Sequence, residues 1–195
     1  MKDSFDRTID YVRIAVTDRC NLRCFYCMPA EGILYEPKSH LLSYEEITRL
    51  LKVLGSLGFQ KVRFTGGEPF LRKDFMHLLE NTAKIEAFNS IHITSNGTLL
   101  QQHIPKLKEL GITKINLSID SLDSERFHKI TRRDDYEKVI QTFNMLVENG
   151  FKVKLNAVVM HGINTQDIIP LAELAKDHQV DVRFIEEMPF NGGYK

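Results

Sequence analysis

The strongest constraint on the fold is a short phrase that occurs twice in the chain. Gly58 precedes Phe-Gln-Lys-Val-Arg-Phe and Gly111 precedes Ile-Thr-Lys-Ile-Asn-Leu, each after a stretch of apolar residues at helical spacing. Glycine often follows the last turn of a helix because it adopts the left-handed backbone conformation at little steric cost. Each phrase therefore predicts the end of one helix and the start of the next strand.

The alternation of strand and helix continues along the whole chain. Ser43 and Glu46 form a capping box for the first helix, and Asn164 with Asp167 is predicted to cap the last one. Alternating elements of this kind indicate βα units and a parallel sheet. We expect an α/β fold that curves into a partial (β/α)6 TIM-like barrel rather than a closed eight-stranded one. The predicted strands are 9–17, 60–65, 90–95, 114–119, 152–159 and 181–186, and the helices between them are 43–57, 75–85, 104–110, 139–146 and 164–174.

All three cysteines of the chain fall within eight positions, at Cys20, Cys24 and Cys27. Thiolates at C-x3-C-x2-C spacing are suited to a soft metal or an iron–sulfur cluster. Three ligands leave one iron of a four-iron cluster without a protein ligand, and an open coordination position is typical of a catalytic site. A structural zinc site would need a fourth ligand, for which His40 is the nearest histidine. A disulfide would leave one cysteine over and close a very tight loop.

Alternate positions of the predicted strands carry mostly polar side chains, although parallel strands covered by helices are usually apolar on both faces. Four of these side chains are cationic, and burying them without partners would be costly. A wet, anion-binding cavity inside the barrel is the expectation, and strand-end residues that reach solvent are the alternative. The polar positions are Arg13, Thr17, Arg63, Thr65, His92, Thr94, Asn116, Ser118, Asp120, Lys154, Asn156 and Arg183.

Gly66 and Gly67 follow the second predicted strand directly, within the run Thr-Gly-Gly-Glu-Pro. Paired glycines allow the backbone to approach a ligand closely or to adopt a positive φ. A Gly-Gly pair alone is most often a turn, but at a strand end in a chain with the cysteine motif it indicates a binding loop.

The cysteine spacing, with Tyr26 just before Cys27, resembles the signature of the radical S-adenosylmethionine (radical SAM) superfamily. The longer run from Arg13 to Pro29, Arg-Ile-Ala-Val-Thr-Asp-Arg-Cys-Asn-Leu-Arg-Cys-Phe-Tyr-Cys-Met-Pro, resembles its GTP 3′,8-cyclase branch, which acts in molybdenum cofactor biosynthesis. The resemblance extends from about Ile9 to the last residue. It implies one [4Fe-4S] cluster on the three cysteines, and S-adenosylmethionine (SAM) bound to that cluster.

The resemblance also implies roles for individual residues. Positions that match SAM contacts of the family are Tyr26, Gly66, Gly67, Glu68, Ser118 and Met188. Positions that match GTP contacts, or that lie close to GTP, are Arg13, Arg63, Thr94, Lys154 and Arg183. The cationic members of this set also suit a triphosphate on charge grounds alone, because arginine forms paired hydrogen bonds with phosphate.

The implied reaction begins with the reductive cleavage of SAM to a 5′-deoxyadenosyl radical, which converts GTP to (8S)-3′,8-cyclo-7,8-dihydroguanosine 5′-triphosphate. The implied partners are GTP, a low-potential electron donor, the downstream cyclic pyranopterin monophosphate synthase and a second copy of the chain. Two alternatives stay open. The chain could be another radical SAM enzyme, one that modifies peptides or tetrapyrroles, or a non-catalytic iron–sulfur binding fragment.

The remaining expectations come from the charge balance, the first residues of the chain and the distribution of cysteines. The 26 basic and 26 acidic residues balance, so neither nucleic acid nor a membrane surface is an expected partner. The first residues lack the apolar run of a signal peptide, and reduced cysteines fit the cytoplasm. Members of the cyclase branch continue into a region with a second cysteine trio and a second cluster, whereas no cysteine follows Cys27. We therefore expect residues 1–195 to form a single radical SAM core domain that is truncated after the sixth strand.

Overall fold

The computed structural model of the protein describes residues 2–188, which form one sheet of six parallel strands in the order of the sequence. Helices alternate with the strands, and β1 and β6 are the two open edges. This is the expected α/β architecture, a partial TIM-like barrel. The strands are β1 Tyr11–Ala15, β2 Lys61–Thr65, β3 Ser90–Ser95, β4 Lys114–Ser118, β5 Lys152–Val159 and β6 Val180–Glu186, and the helices are α1 Tyr44–Ser56, α2 Phe75–Ala83, α3 Ile104–Glu109, α4 Ser124–Thr131, α5 Tyr136–Glu148 and α6 Ile168–Asp177.

The local signals for helix ends are confirmed. Glu46 donates its backbone N–H to the Ser43 hydroxyl at 3.1 Å, and the Glu46 carboxylate accepts the Ser43 N–H at 2.7 Å. Gly58 and Gly111 both have a left-handed backbone, with φ of 91° and 70°. The chain therefore leaves α1 and α3 where glycine relieves the steric cost of that conformation.

The hydrophobic core lies between the sheet and the helices that cover its outer face. Phe64, Leu117 and Leu155, at alternate positions of β2, β4 and β5, are fully buried, as are Leu51 and Leu146 on helices α1 and α5. The side chains between these strand positions lie on the other face, and most of them are polar. The expectation of an apolar outer set and a polar inner set is confirmed, and it places the polar side chains inside the barrel.

The structure differs from the sequence predictions in two local features: one helix was not predicted, and one predicted helix cap is wrong. Helix α4, between β4 and α5, was not predicted, because its eight residues carry only Phe127 and Ile130 as buried hydrophobic side chains. Neither Asn164 nor Asp167 caps α6 with its side chain. Asn164 instead donates to the backbone carbonyls of Asp120 and Val158 at 2.7 and 2.8 Å. It thus joins the ends of β4 and β5, which a local capping pattern does not reveal.

The carboxylate of Asp167 is buried and pairs with the guanidinium of Arg126 at 2.7 Å. It also accepts the backbone N–H of Leu122 at 3.2 Å. Asp167 therefore anchors α4 to the start of α6. Within residues 2–188, no helix has the length and apolar character needed to cross a bilayer.

Candidate active site

A cavity of about 180 Å³ lies at the carboxyl ends of the first four strands. Its walls come from segments that are far apart in the sequence, which meet because the carboxyl ends of parallel strands share one edge of the sheet. The three cysteines and Tyr26 come from the loop after β1, and Gly66 and Gly67 from the loop after β2. The remaining lining residues are Leu22, Thr65, Thr94, Ser95, Asn96, Ser118, Asp120, Phe127 and Thr131.

The loop that carries the cysteines is fixed to the end of α4. The backbone N–H groups of Arg23 and Phe25 donate to the carbonyls of Thr131 and Ile130, at 2.9 and 3.0 Å. Arg132 follows α4 with a left-handed backbone, φ 56°, and its guanidinium donates to the Met28 carbonyl at 3.1 Å. The helix that the sequence did not predict therefore supports the loop that the sequence marked most clearly.

Gly66 and Gly67 pack against the backbone just before Cys20. The N–H of Gly67 donates to the Thr17 carbonyl at 2.7 Å, and the N–H of Glu68 donates to the Arg19 carbonyl at 2.8 Å. A Cβ atom on Gly66 would lie 2.3 Å from the Thr17 oxygen, and one on Gly67 would lie 2.2 Å from the Arg19 oxygen. Side chains are therefore excluded by the protein's own backbone, independently of any ligand.

Glu68 is fully buried beneath this cavity and is not one of its lining residues. Its carboxylate accepts hydrogen bonds from the N–H groups of Asn96 and Phe70, at 2.7 and 3.1 Å, and from the Ser95 hydroxyl at 3.0 Å. Burial raises the pKa of Glu68 to about 7, although these hydrogen bonds oppose the shift. Glu68 thus joins the loop after β2 to the end of β3.

Tyr26 is held by a buried carboxylate at the end of β4. Its hydroxyl donates to Asp120 at 2.7 Å, and the other oxygen of Asp120 accepts the Val158 N–H at 2.8 Å. Burial raises the pKa of Asp120 to about 6, and burial together with the nearby Asp120 raises the pKa of Tyr26 well above its ordinary value. The bond connects the cysteine loop to β4 and β5.

The donor set fits a cluster with one iron left open. Cys20, Cys24 and Cys27 are not joined in disulfides and line the same cavity, with backbone glycines on a facing segment. Burial raises the pKa of all three, for Cys24 to about 12, so a cluster must displace protons when it binds them as thiolates. Within residues 2–188, no three His, Cys, Asp or Glu side chains converge closely enough for a single metal ion. The fit therefore rests on the thiol donors and their shared cavity.

The cations lie further toward the amino ends of the strands. The parallel register sets Arg13 beside Arg63, and Arg63 beside His92. Burial is the main cause that lowers the pKa of Arg63, and the positive charges of Arg13 and Arg183 add to it. In the described part of the chain, the buried Nε of Arg63 has no hydrogen-bond partner.

A second cavity, of about 390 Å³, lies at the amino ends of β3, β4 and β5, and His92, Lys114 and Lys154 are among its lining residues. Lys114 and His92 both contact the Ser90 hydroxyl, at 2.6 and 2.8 Å. Lys154 forms an ion pair with Asp181, which also lines this cavity. The sequence reading did not give Lys154 a protein counter-ion.

The structure brings together only part of the predicted set. Ser118 and Thr94 line the cysteine cavity, so Thr94 lies nearer the SAM residues than the cations. Arg13 and Arg183 are exposed, and Met188, 58% exposed, lines neither cavity. Asn96 was not predicted as a site residue, although the run Ser95-Asn-Gly at the end of β3 marks a polar strand end. Asp120 was not assigned to the site either.

Comparison with known proteins identifies the family of the chain. Residues 14–175 match the family model described as the radical SAM superfamily, and the chain belongs to this superfamily. Its members use a [4Fe-4S] cluster and SAM. The superposition on Streptococcus suis SuiB bound to S-adenosylmethionine has a TM-score of 0.75 at 21% identity, over 94% of this chain and 42% of SuiB, and shows the shared fold.

Two curated relatives are more similar in sequence. The molybdenum cofactor biosynthesis protein moc-5 of Caenorhabditis elegans is 47% identical over 97% of this chain and 32% of its own length. The GTP 3′,8-cyclase of Clostridium botulinum is 44% identical over the whole of this chain and 61% of its own length. The chain thus spans less than two thirds of the length of each of these relatives.

Proposed function

We propose that this chain is the SAM- and cluster-binding part of a GTP 3′,8-cyclase that acts in molybdenum cofactor biosynthesis. The observation that carries the proposal is the stacking of two sets of residues inside one barrel. Three thiols and a diglycine loop lie at the carboxyl ends of the strands, and the side chains of Arg13, Arg63 and His92 lie at neighbouring positions nearer the amino ends. The relative named GTP 3′,8-cyclase supports the choice of substrate.

At the upper site, Cys20, Cys24 and Cys27 would hold one [4Fe-4S] cluster. When bound, the cluster supplies one electron to SAM, which yields the 5′-deoxyadenosyl radical. The backbone of Gly66 and Gly67 is held against residues 17–19 through the Gly67 N–H, so it can present its carbonyl groups to the amino group of SAM without reorganisation. Tyr26 and Ser118 would contact SAM from the cysteine loop and β4. Glu68 would act by fixing the loop from below, and Met188 would contact SAM from the chain beyond β6.

At the lower site, Arg63 would bind the triphosphate of GTP with Arg13, Lys154 and Arg183, and Thr94 would lie between phosphates and SAM. Arg63 suits this role because its guanidinium is half-buried among other cations, so an anion relieves their mutual repulsion. Bound GTP would then lie beneath the radical source with its position fixed at the phosphate end. Such fixing of a reacting group supplies much of the rate in reactions of this kind.

The proposal extends to the setting of the enzyme. Residues 1–195 form a single radical SAM core domain in the cytoplasm. It receives electrons from a low-potential donor, can pair with a second copy of itself, and hands its product to cyclic pyranopterin monophosphate synthase.

The test uses the protein expressed from its complete coding sequence and reconstituted without oxygen, with about four irons expected for each cluster. Dithionite, SAM and GTP are added, and 5′-deoxyadenosine and the cyclised nucleotide are measured. We expect both products, in equal amounts. Formation of 5′-deoxyadenosine without any cyclised nucleotide, in a protein that does not bind GTP, would assign the chain to a different radical SAM reaction. Absence of 5′-deoxyadenosine in the iron-loaded protein would support a non-catalytic iron–sulfur role.

A further inference from the structure

The side chain of Asn96 contacts the first cysteine of the motif. Asn96 follows β3 directly and is 8% exposed. Its amide nitrogen lies 3.6 Å from the Sγ of Cys20 and 3.0 Å from the side-chain oxygen of Asn21. An N–H group therefore points at the sulfur of a cluster ligand.

The orientation of this amide is fixed by its neighbours. The side-chain oxygen of Asn96 accepts the backbone N–H of Thr98 at 3.0 Å and the Thr98 hydroxyl at 2.7 Å. Because a backbone N–H can only donate, the oxygen must face Thr98 and the NH₂ group must face Cys20. The Thr98 hydroxyl in turn accepts from the amide of Asn21 at 2.7 Å, which closes a ring of three side chains.

The backbone of Asn96 is fixed as well. Its N–H donates to the buried carboxylate of Glu68 at 2.7 Å, and the hydroxyl of the preceding Ser95 donates to the same carboxylate. The position of the donor is thus set from below by Glu68 and from the side by Thr98. Because the donor is already fixed, little conformational entropy is lost when its N–H interacts with the Sγ of Cys20.

We propose that Asn96 is a positioning residue that raises the reduction potential of the cluster through its N–H···S hydrogen bond to Cys20. Reduction adds negative charge to the cluster and its ligand sulfurs. A donor that points at a ligand sulfur stabilises the reduced state more than the oxidised one, and hydrogen bonds to sulfur are among the factors that set iron–sulfur potentials. The proposal concerns the cluster alone and does not depend on the substrate.

The test compares Asn96→Ala with the unchanged protein after anaerobic reconstitution of each. The potential is measured by a redox titration that follows the electron paramagnetic resonance signal of the reduced cluster, and iron content and circular dichroism are measured on the same samples. We expect Asn96→Ala to retain its iron and to make one-electron reduction about tenfold less favourable, which corresponds to about 59 mV. Asn96→Asp keeps the contacts with Thr98 but replaces the donor by a carboxylate oxygen, so its potential should fall further.

Asn21→Ala is the matched control, because it removes the other acceptor of the same amide and leaves the contact of Asn96 with Cys20 in place. Its potential should stay close to that of the unchanged protein. An unchanged potential in iron-loaded Asn96→Ala would overturn the proposal. Loss of iron in Asn96→Ala, or equal shifts in Asn96→Ala and Asn21→Ala, would also overturn it, since either result would assign Asn96 to holding the cysteine loop.

Discussion

Two regions of the barrel interior differ in how many charged side chains have partners within the protein. The upper region lies at the carboxyl ends of the strands, around the cysteine cavity, and the lower region lies further toward the amino ends, around Arg63 and His92. Around the cysteine cavity, the carboxylates of Glu68 and Asp120 are buried, yet both accept hydrogen bonds from backbone N–H groups. Further toward the amino ends, Arg63 lies beside Arg13, and His92 is surrounded by lysines and Arg63. In the upper region the carboxylates have partners within the protein, whereas in the lower region the cationic side chains outnumber the carboxylates.

This difference indicates that the upper region suits a cofactor held in one geometry and the lower region suits an anion. A network with its own partners is rigid and can hold a cofactor in one geometry, because each polar group is already oriented. A group of like charges costs stability in the free protein and regains it when an anion binds. Lys154 is intermediate between the two, since Asp181 already neutralises it. Each of the following changes tests one side of the comparison.

The largest effect is expected from Gly67→Ala in the upper region. The new Cβ would lie 2.2 Å from the backbone oxygen of Arg19, so the diglycine loop or the cysteine loop must move. We expect the free energy of unfolding, measured by urea denaturation, to fall by about 3 kcal/mol. Gly111→Ala is the control, because its Cβ meets nothing within 4 Å and its positive φ alone should cost about 1 kcal/mol. Because Gly67 does not have a positive φ, a loss in Gly67→Ala no larger than that in Gly111→Ala would show that the loops relieve the close approach at little cost.

Glu68, one of the two buried carboxylates of the upper region, should make the free energy of unfolding decrease as pH rises. Folding raises the pKa of Glu68 from 4.5 to about 7 through burial, so between these values the folded state holds a proton that the unfolded state has released. Rising pH therefore favours unfolding across this window, by about 3 kcal/mol in total. Unfolding measured from pH 4.5 to 7.5 should show this loss in the unchanged protein and a flatter profile in Glu68→Gln. The same slope in both proteins would assign it to another group.

In the lower region, Arg63→Ala should weaken GTP binding by roughly 1.5–3 kcal/mol, the scale of a charge-assisted hydrogen bond. Lys154→Ala should weaken it less, because Lys154 already pairs with Asp181 and must leave that ion pair to contact a phosphate. Affinities for GTP and SAM are measured by calorimetry on the complete protein, and SAM affinity should hardly change. Arg49→Ala, at an exposed position of α1, is the matched control. Equal loss of both affinities would indicate misfolding, and no loss of either would place these side chains outside the binding site.

The smallest effect is expected from His92, because its side chain is only partly buried and solvent screens the neighbouring charges. Its sign is opposite to that of Glu68. Burial, followed by the charges of Arg63, Lys114, Lys154 and Lys61, lowers the pKa of His92 from 6.5 to about 4. Between these values the unfolded state holds the extra proton, so stability rises with pH in this window and is lost as pH falls. His92→Gln should remove this contribution from unfolding curves measured between pH 4 and 7. Lys114→Gln, which removes one repelling charge, should reduce it.

Much of the fold could be predicted because its signals are local. Caps, glycine stops and alternation each lie within a few neighbouring residues, as Ser43, Glu46 and Gly58 show. Helix α4 could not be found this way, because it has too few apolar residues to show a period and is held by the cysteine loop and by Asp167. Local patterns also misassigned Asn164, whose amide binds two strand ends instead of capping a helix.

The sequence by itself determined the cysteine spacing, the parallel sheet and the polar inner face, since each follows from residue type and spacing along one segment. Only the tertiary structure decided which of these polar groups meet. Asn96 contacts Cys20 from 76 positions away, and Tyr26 meets Asp120 from 94 positions away. The packing of helices on the sheet brings such strand ends together, and it also sets Asp181 against Lys154. Hydrogen bonds and ion pairs depend on distances of a few ångströms in space, which separation along the chain does not specify.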